Sequence, residues 1–386
     1  MVYNVDMFGL CVIISKVANL LINTLKLGAG YTWPGHIALT LYPSILKSPR
    51  IRFTKGLILL SGTNGKTTTS KLLAHILNGA SFKIVSNTSG ANLKNGVVSS
   101  ILLSSSLKSL AVDYGVFEVD EFALSEVLKD LTPNVLILLN LSRDQLDRYG
   151  ETDIILEKWK KSLSELSAST VVVVDEDQLE IRELCRSYSG KVDYFGSDNS
   201  YLKNTALKGM FNARNINAAV LACKNLGLAE EDILPALKTF KPAYGRGEKI
   251  GYLGKNYHIL LAKNPASFNY NLDAIKTSEF DFSTLLLVLN DNIPDGRDVS
   301  WIYDIDPVSL RETFKGKNIY FAGSRSKDMA LRLKHSGVSF SEEHTFGNLK
   351  DAFAALSKID ADEILVLPNY SAMLDVRDFL IGRKIL

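Results

Sequence analysis

The stretch Gly56-Leu-Ile-Leu-Leu60, Ser61-Gly-Thr-Asn-Gly-Lys-Thr-Thr-Thr-Ser70 and Lys71-Leu-Leu-Ala-His-Ile-Leu77 decides the fold. A short uncharged apolar run reads as a strand buried on both faces. The glycines that follow let the backbone curl so that its N–H groups point at phosphate oxygens, and KLLAHIL has the spacing of a helix whose N-terminus adds partial positive charge. Gly62, Thr63, Asn64, Gly65, Lys66, Thr67 and Thr68 are therefore the candidate nucleotide-binding residues. Lys66 can reach the β- and γ-phosphates of ATP, and the Thr67 hydroxyl can bind Mg²⁺. Leu60 stands where the usual GxxxxGK[ST] pattern has its first glycine, so the match lies in the second half of the loop and its strand–helix setting. Replacing Lys66 with alanine is expected to remove a phosphate-binding charge and no core contact.

Outward from this loop, further apolar runs occur at Lys83–Val85, Tyr114–Phe117, Val135–Leu139 and Val171–Val174, separated by helical segments such as Leu124–Leu128 and Ile154–Leu166. Alternation of this kind predicts a mostly parallel sheet covered on both faces. Lys241-Pro-Ala-Tyr-Gly-Arg-Gly-Glu248 interrupts it as a Pro/Gly-rich joint, and a second set follows at Tyr257–Leu261, Leu285–Leu289, Ile319–Ala322 and Ile364–Leu367. The expected organisation is an N-terminal helical segment (1–50), an ATP-binding α/β domain (51–244) and a smaller Rossmann-like α/β domain (245–386). A chain of 386 residues suits two or three domains.

A phosphate loop needs a carboxylate for its metal. Glu118 follows the strand at Tyr114–Phe117, with Asp120 and Glu121 just beyond, and ligands in open parallel sheets gather at the carboxyl ends of strands. Glu118 is accordingly the candidate Mg²⁺ ligand together with Thr67.

Charge and cysteine usage exclude other classes. Forty-four basic against 42 acidic residues give +2, no field for nucleic acid. Cys11, Cys185 and Cys223 lie far apart without a CxxC, which argues against a disulfide framework, and neither they nor the five histidines have zinc-ligand spacing, so no zinc is expected. Near the N-terminus, Ile13, Val17, Leu20, Leu21 and Leu25 have helical spacing, interrupted by Lys16, Asn19 and Asn23 well short of a spanning helix. No signal peptide is evident. The expectation is an amphipathic helix packed on its own protein by that stripe, with a membrane surface or a partner as the alternative.

The segments GTNGKTTT (62–69), FEVDE (117–121), NLSRDQLDRYG (140–150) and GMFNARN (209–215) together resemble the Mur ligase family, which joins amino acids to carboxylates using ATP. On that resemblance Asn212, Asn215 and Arg246 join the cofactor-binding set, and the fold is a Mur-ligase-like central domain with a Rossmann-like C-terminal domain. NTSGAN (87–92), RDQLDRYGE (143–151), LAKNPASFN (261–269), LNDNIPDGRDVSWIYD (289–304), AGSRSKDMALRLK (322–334) and LPNYSAML (367–374) resemble more narrowly the MurT family, the synthetase subunits of lipid II isoglutaminyl synthase.

The resemblance implies an ATP-dependent carbon–nitrogen ligase of the glutamine-hydrolysing amide-synthase type. Its cofactors would be ATP and Mg²⁺, and its substrate the α-carboxyl of D-glutamate in lipid II, amidated to D-isoglutamine through an acyl phosphate. No glutaminase nucleophile is recognisable here, so ammonia would come from a GatD-like subunit, and Asp298 would complete that subunit's Cys–His pair. The alternative reading of Asp295, Arg297 and Asp298 is a loop that they merely hold together. The implied location is cytoplasmic, at most peripheral on the inner face of the membrane. MurT-type chains carry a four-cysteine ribbon, but here only 12 residues separate Gly196 from Gly209, with no cysteine pair. Some Mur ligases carbamylate a lysine in the helix matching Lys158, Lys160 and Lys161; Lys160 aligns best, but three lysines on a solvated helix is the better reading. The competing functions are an amino-acid-adding ligase of the Mur or folylpolyglutamate type, and a P-loop module without ligase chemistry.

Overall fold

The computed structural model describes residues 6–25, 31–87, 90–142, 151–242, 245–276, 282–292, 295 and 297–382. The segment 143–150, which carries much of one Mur-like motif, lies outside them. The described residues divide into two compact units: the first runs to Phe240 except for Leu207–Phe211, which belong with the residues from Lys241 onward in the second.

In the first unit, β1 (Ile51–Ser61), β2 (Ile84–Ser86), β3 (Leu110–Glu118), β4 (Val135–Leu138), β5 (Val171–Asp175) and β6 (Val192–Phe195) form one sheet in the order β2-β3-β1-β4-β5-β6. All its pairings are parallel. β1 is central, and Leu57–Leu60 are buried, as a strand covered on both faces requires. It begins earlier than its apolar run, because Ile51–Phe53 already pair with Leu110–Val112 before a register shift at Gly56.

The N-terminal helices α1 (Met7–Leu25) and α2 (Trp33–Leu41) pack on this unit, but not as the periodicity predicts. Phe8, Gly9, Cys11, Val12 and Ser15 are the residues of α1 that are buried, whereas Ile13, Val17, Leu20, Leu21 and Leu25 are exposed. The helix is apolar on two faces, and spacing alone does not say which one the protein covers.

The helices α3 (Lys66–Gly79), α4 (Lys94–Ser104), α5 (Leu124–Leu128), α6 (Glu151–Glu165), α7 (Leu179–Cys185), α8 (Met210–Asn225) and α9 (Glu230–Thr239) complete this part of the chain. Where the four-cysteine ribbon would stand, residues 196–206 form a short connection pinned by α8. Asn217 Nδ2 donates to the carbonyls of Gly196 and Asp198 at 2.8 and 2.7 Å. Lys224 donates to the Tyr201 hydroxyl at 2.9 Å. Side-chain hydrogen bonds from α8 thus hold the segment.

The second unit has a five-stranded sheet in the order β10-β9-β11-β8-β7, from β7 (Arg246–Tyr252), β8 (Lys255–Leu260), β9 (Thr284–Val288), β10 (Asn318–Ala322) and β11 (Glu363–Pro368). The helices α10 (Pro265–Lys276), α11 (Pro307–Phe314), α12 (Ser326–His335), α13 (Leu349–Leu356) and α14 (Tyr370–Ile381) accompany it. Its parallel strands match the second apolar set, but β7 is an added antiparallel edge. Leu253 and Gly254, at φ 48° and 77°, close the β7–β8 hairpin, since tight two-residue turns need positive φ at both positions. Glu248, in the joint, accepts two hydrogen bonds from Arg377 at 2.8 and 2.9 Å.

Three strands converge on Glu363. Its carboxylate accepts from Lys249 at 3.1 Å and Asn256 at 2.7 Å and pairs with His258, and the His258 contact above all holds its pKa down to about 2. A folded-state pKa below the ordinary carboxylate value of about 4.5 means that this contribution is present above that value and is lost as pH falls through about 2. Glu363→Gln should therefore flatten the dependence of melting temperature on pH between about 4.5 and 2. Thermal melts across that window check it; an unchanged profile would remove Glu363 from acid unfolding.

Candidate active site

β1 ends at Ser61 and α3 begins at Lys66, so the loop spans Gly62–Gly65. Gly65 sits at φ +89°, and a Cβ there would come within 2.2 Å of Asn215 Oδ1, so only glycine fits. The loop is clamped from the neighbouring strand end: Thr63 N donates to the Asn140 carbonyl and Asn64 N to Asn140 Oδ1, both at 2.9 Å. Asn140 Nδ2 returns a bond to the Asn64 carbonyl at 3.0 Å, and Thr63 Oγ1 bridges Ser142. Asn212 and Asn215 on α8 are buried beneath it, where Asn215 Oδ1 accepts from Thr69 Oγ1 at 3.4 Å and Asn215 Nδ2 donates to Asn212 Oδ1 at 3.2 Å. Here they brace the loop and the first turn of α3. Asn140 stood in a quoted motif, yet nothing in its sequence setting marked it as the clamp.

Lys66 is not free of the protein's interior. It is 9% exposed, and its ammonium donates to Glu121 at 2.8 Å and to the carbonyl of Gly62. Glu121, 8% exposed, is itself held in place from behind, because the buried Trp159 of α6 donates from Nε1 to its carbonyl at 3.0 Å. The expectation that alanine at 66 removes no core contact is thus corrected: it strips a buried carboxylate of its cation. The pairing spans 55 residues of sequence and had no local signal.

Glu118 behaves differently from its neighbour. It is 2% exposed, and its carboxylate accepts from Ser70 Oγ and Gly90 N, each at 3.4 Å. Ser70 lies one helical turn after Thr67, so both hydroxyls occupy the same face of α3. The backbone of Glu118 is fixed by Asn87, which donates to its carbonyl at 2.8 Å and accepts from its N–H at 3.0 Å. A buried carboxylate served by a hydroxyl and an amide, with no cationic side chain against it among the described residues, fits a divalent cation. Thr67 and Glu118 are the protein ligands such a site offers, and nucleotide oxygens and water would supply the rest. Asp120 is half-buried, and burial, then the charge of Glu121, pushes its carboxyl above the ordinary range.

Glu118→Gln separates the readings of this carboxylate. Loss of a partner of a bound metal typically costs about 10–100-fold in metal affinity, so the Mg²⁺ needed for half-maximal activity should rise by that order. Removing a buried charge should meanwhile raise the melting temperature of the ligand-free protein. An unchanged Mg²⁺ titration would return Glu118 to a structural role.

The other predicted residues lie elsewhere. Lys160 is exposed on α6, as is Lys158, whose ammonium lies 5.0 Å from the centre of the Phe122 ring. Arg246 begins β7 in the second unit, paired in register with Leu260. Asp298 is exposed there, and the Ser300 side chain, followed by the Ser300 N–H that donates to its carboxylate at 2.8 Å, holds its pKa below the usual range. Asp295 is the residue that ties the loop down, accepting from Ser371 N at the start of α14 at 3.0 Å. Among the described residues no group of three or more His, Cys, Asp or Glu could hold a metal ion. The three cysteines are all buried, and burial pushes the thiols of Cys185 and Cys223 up to about 11 and about 12, which disfavours the thiolate a nucleophile needs.

Comparison with known proteins agrees with this geometry. Residues 60–201 match the Mur ligase middle domain and residues 261–373 the MurT ligase C-terminal domain. The chain is 28% identical to the lipid II isoglutaminyl synthase (glutamine-hydrolyzing) subunit MurT of Staphylococcus aureus, over 89% of this chain and 91% of that protein. It is 25% identical to the subunit of the same name from Streptococcus pneumoniae, over 93% and 94%. Among solved structures, MurF from Acinetobacter baumannii superposes with a TM-score of 0.67 at 18% identity, covering 90% of this chain and 79% of that one. Folylpolyglutamate synthase from Mycobacterium tuberculosis does so at 0.63 and 16%, covering 90% and 94%; these likenesses speak for the fold alone. With a Mur ligase middle domain followed by a MurT-type C-terminal domain, the chain is a MurT-like member of the Mur ligase family.

Proposed function

We propose that the chain is an ATP-dependent ligase that amidates the α-carboxyl of D-glutamate in lipid II, acting in peptidoglycan synthesis as one subunit of a glutamine-hydrolysing complex. The observation that carries the chemistry is the loop clamped by Asn140, with Asn215 bracing the first turn of α3, beside a buried carboxylate, Glu118, that has no cationic side chain against it among the described residues. The substrate follows from the MurT relatives, whose names state it and whose likeness extends over about nine-tenths of the chain.

A carboxylate does not react with ammonia at neutral pH, because oxide would have to leave. Transfer of the γ-phosphoryl group of ATP to a carboxylate oxygen releases ADP and leaves an acyl phosphate. Ammonia then attacks the acyl carbon, phosphate departs with the C–O electron pair, and the amide nitrogen loses a proton. The protein's part is positioning and electrostatics. Lys66 supplies a fixed positive charge at the loop; the Thr63 and Asn64 amides are held by Asn140, so the amides at the start of α3 are the ones proposed to face phosphate. Mg²⁺, held by Thr67 and Glu118, would neutralise the β- and γ-phosphate charge. Assignment of Asn212, Asn215 and Arg246 to the nucleotide rests on the family resemblance; as placed, the two asparagines act through the loop.

The ammonia source is a separate glutaminase of the GatD type. The buried, high-pKa cysteines here support that division, since none is suited to attack glutamine. Asp298, exposed and oriented by Ser300, is proposed to orient the partner's histidine. ADP release measured with lipid II, with and without ammonium or amino acids, tests the reading. Release that needs lipid II and ammonium together supports it. Release that needs an amino acid instead makes the chain an amino-acid-adding ligase, and release indifferent to lipid II makes it a nucleotide-binding module.

A further inference from the structure

The charge of this chain is divided unevenly. Residues 1–112 contain eleven lysines and arginines and one acidic residue, Asp6, a balance of +10, while residues 113–386 hold 33 basic and 41 acidic residues, a balance of −8. The same N-terminal part carries the clearest exposed apolar face. Of the 18 large hydrophobic side chains exposed among the described residues, seven fall between Ile13 and Leu41. Five of them, Ile13, Val17, Leu20, Leu21 and Leu25, are 48–65% exposed and lie along one side of α1, opposite the buried Phe8, Cys11, Val12 and Ser15. Lys16 borders the stripe and donates to the Ser105 carbonyl at 2.8 Å. The exposed Leu107 lies by the first turn of the helix, its carbonyl 3.1 Å from where a Cβ on Gly9 would stand, and the exposed Lys108 follows it in sequence. Trp33, 60% exposed at the start of α2, is of the type that settles at membrane–water interfaces.

We propose that α1 lies in the interface of an anionic lipid bilayer. Its exposed leucine, isoleucine and valine side chains enter the boundary between headgroups and acyl chains, and Lys16 and Lys108 sit among the headgroups. A helix with one face packed on its protein, an opposite apolar face and no acidic residue suits a uniformly negative apolar-cored surface. No helix of the described residues is long and apolar enough to cross a membrane, so the helix lies on the bilayer. The proposal stands on charge and exposure and does not depend on the amidation chemistry.

Flotation of the full chain with vesicles tests it, without ATP or acceptor. The chain should float with vesicles containing phosphatidylglycerol, less so at high salt, and poorly with phosphatidylcholine alone. Val17→Glu combined with Leu21→Glu places charge on exposed positions, so circular dichroism and melting should be preserved while binding weakens by about tenfold or more. With a soluble, lipid-free acceptor the variant should turn over like the parent chain. Failure of the parent chain to bind anionic vesicles, or equal binding by the variant, would overturn the proposal. So would loss of the soluble reaction in the variant, or a fall in oligomeric mass on substitution without vesicle binding, which would assign the face to a second copy of the chain.

Discussion

Lys66→Ala is expected to lower lipid II-dependent ADP release and amidation by about 10²–10³-fold or more, the scale seen when one fixed group serving a developing charge is removed. The structure adds a second effect. Lys66 and Glu121 form an ion pair at 2.8 Å with both side chains 10% exposed. Breaking such a pair from one side costs about 3–5 kcal/mol. The single variant should therefore melt earlier as well as lose activity, and loss of activity alone would not separate the two causes. Lys66→Ala combined with Glu121→Gln removes the stranded charge. It should regain much of the melting temperature and none of the activity. Near-normal amidation by either folded variant would take Lys66 out of the phosphate site.

The second large effect is at Asp298. An orienting carboxylate fixes the tautomer of a histidine and stabilises the cation that forms, and its replacement by asparagine costs about 10⁴-fold in the Ser-His-Asp precedent. Asp298→Asn should thus suppress glutamine-driven amidation by the two-subunit complex by about 10³–10⁴-fold, while amidation fed with ammonium salts survives. The carboxylate is exposed and its pKa lies below the usual range, so it is ionised at neutral pH and available to a partner. Asp295 is the control. It is partly buried, raised in pKa by that burial and bonded to Ser371 N, so changes there should damage both reactions through the loop. Equal loss of the ammonium and glutamine reactions in a folded Asp298→Asn protein would place Asp298 in the synthetase site; undiminished glutamine turnover would remove it from catalysis.

The phosphate loop was legible because its requirements are local. A buried strand, positive-φ glycines and a helix start must be consecutive in sequence, and Gly62–Thr67 shows all three. The position of Glu118 was legible for a related reason, since the carboxyl end of a central parallel strand is set by the fold class; its role as a metal ligand stays a proposal. What the sequence hid was the set of tertiary partners that make the loop rigid. The pairing of Lys66 with Glu121, the Asn140 clamp and the support of Glu121 by Trp159 all join residues more than 35 positions apart. The β7–β8 hairpin was hidden differently: Arg246–Tyr252 is an edge strand with Ile250 its single buried residue, so it lacks the apolar run that marks interior strands. In α1 the periodicity was correct, but a helix apolar on both sides gives no sign of which side the protein keeps.

The central claim is that an ammonia nitrogen attacks an acyl phosphate formed with ATP and ends in the α-amide of D-glutamate. Incubating the chain with lipid II, ATP, Mg²⁺ and ¹⁵N-ammonium, then sequencing the released muropeptide by mass spectrometry, tests it most directly. The account predicts one ¹⁵N located on the D-glutamate α-carbonyl for each ADP formed, with no product when ATP is omitted. ADP formation with an unmodified stem peptide, or incorporation of an added amino acid in place of the labelled nitrogen, would contradict it.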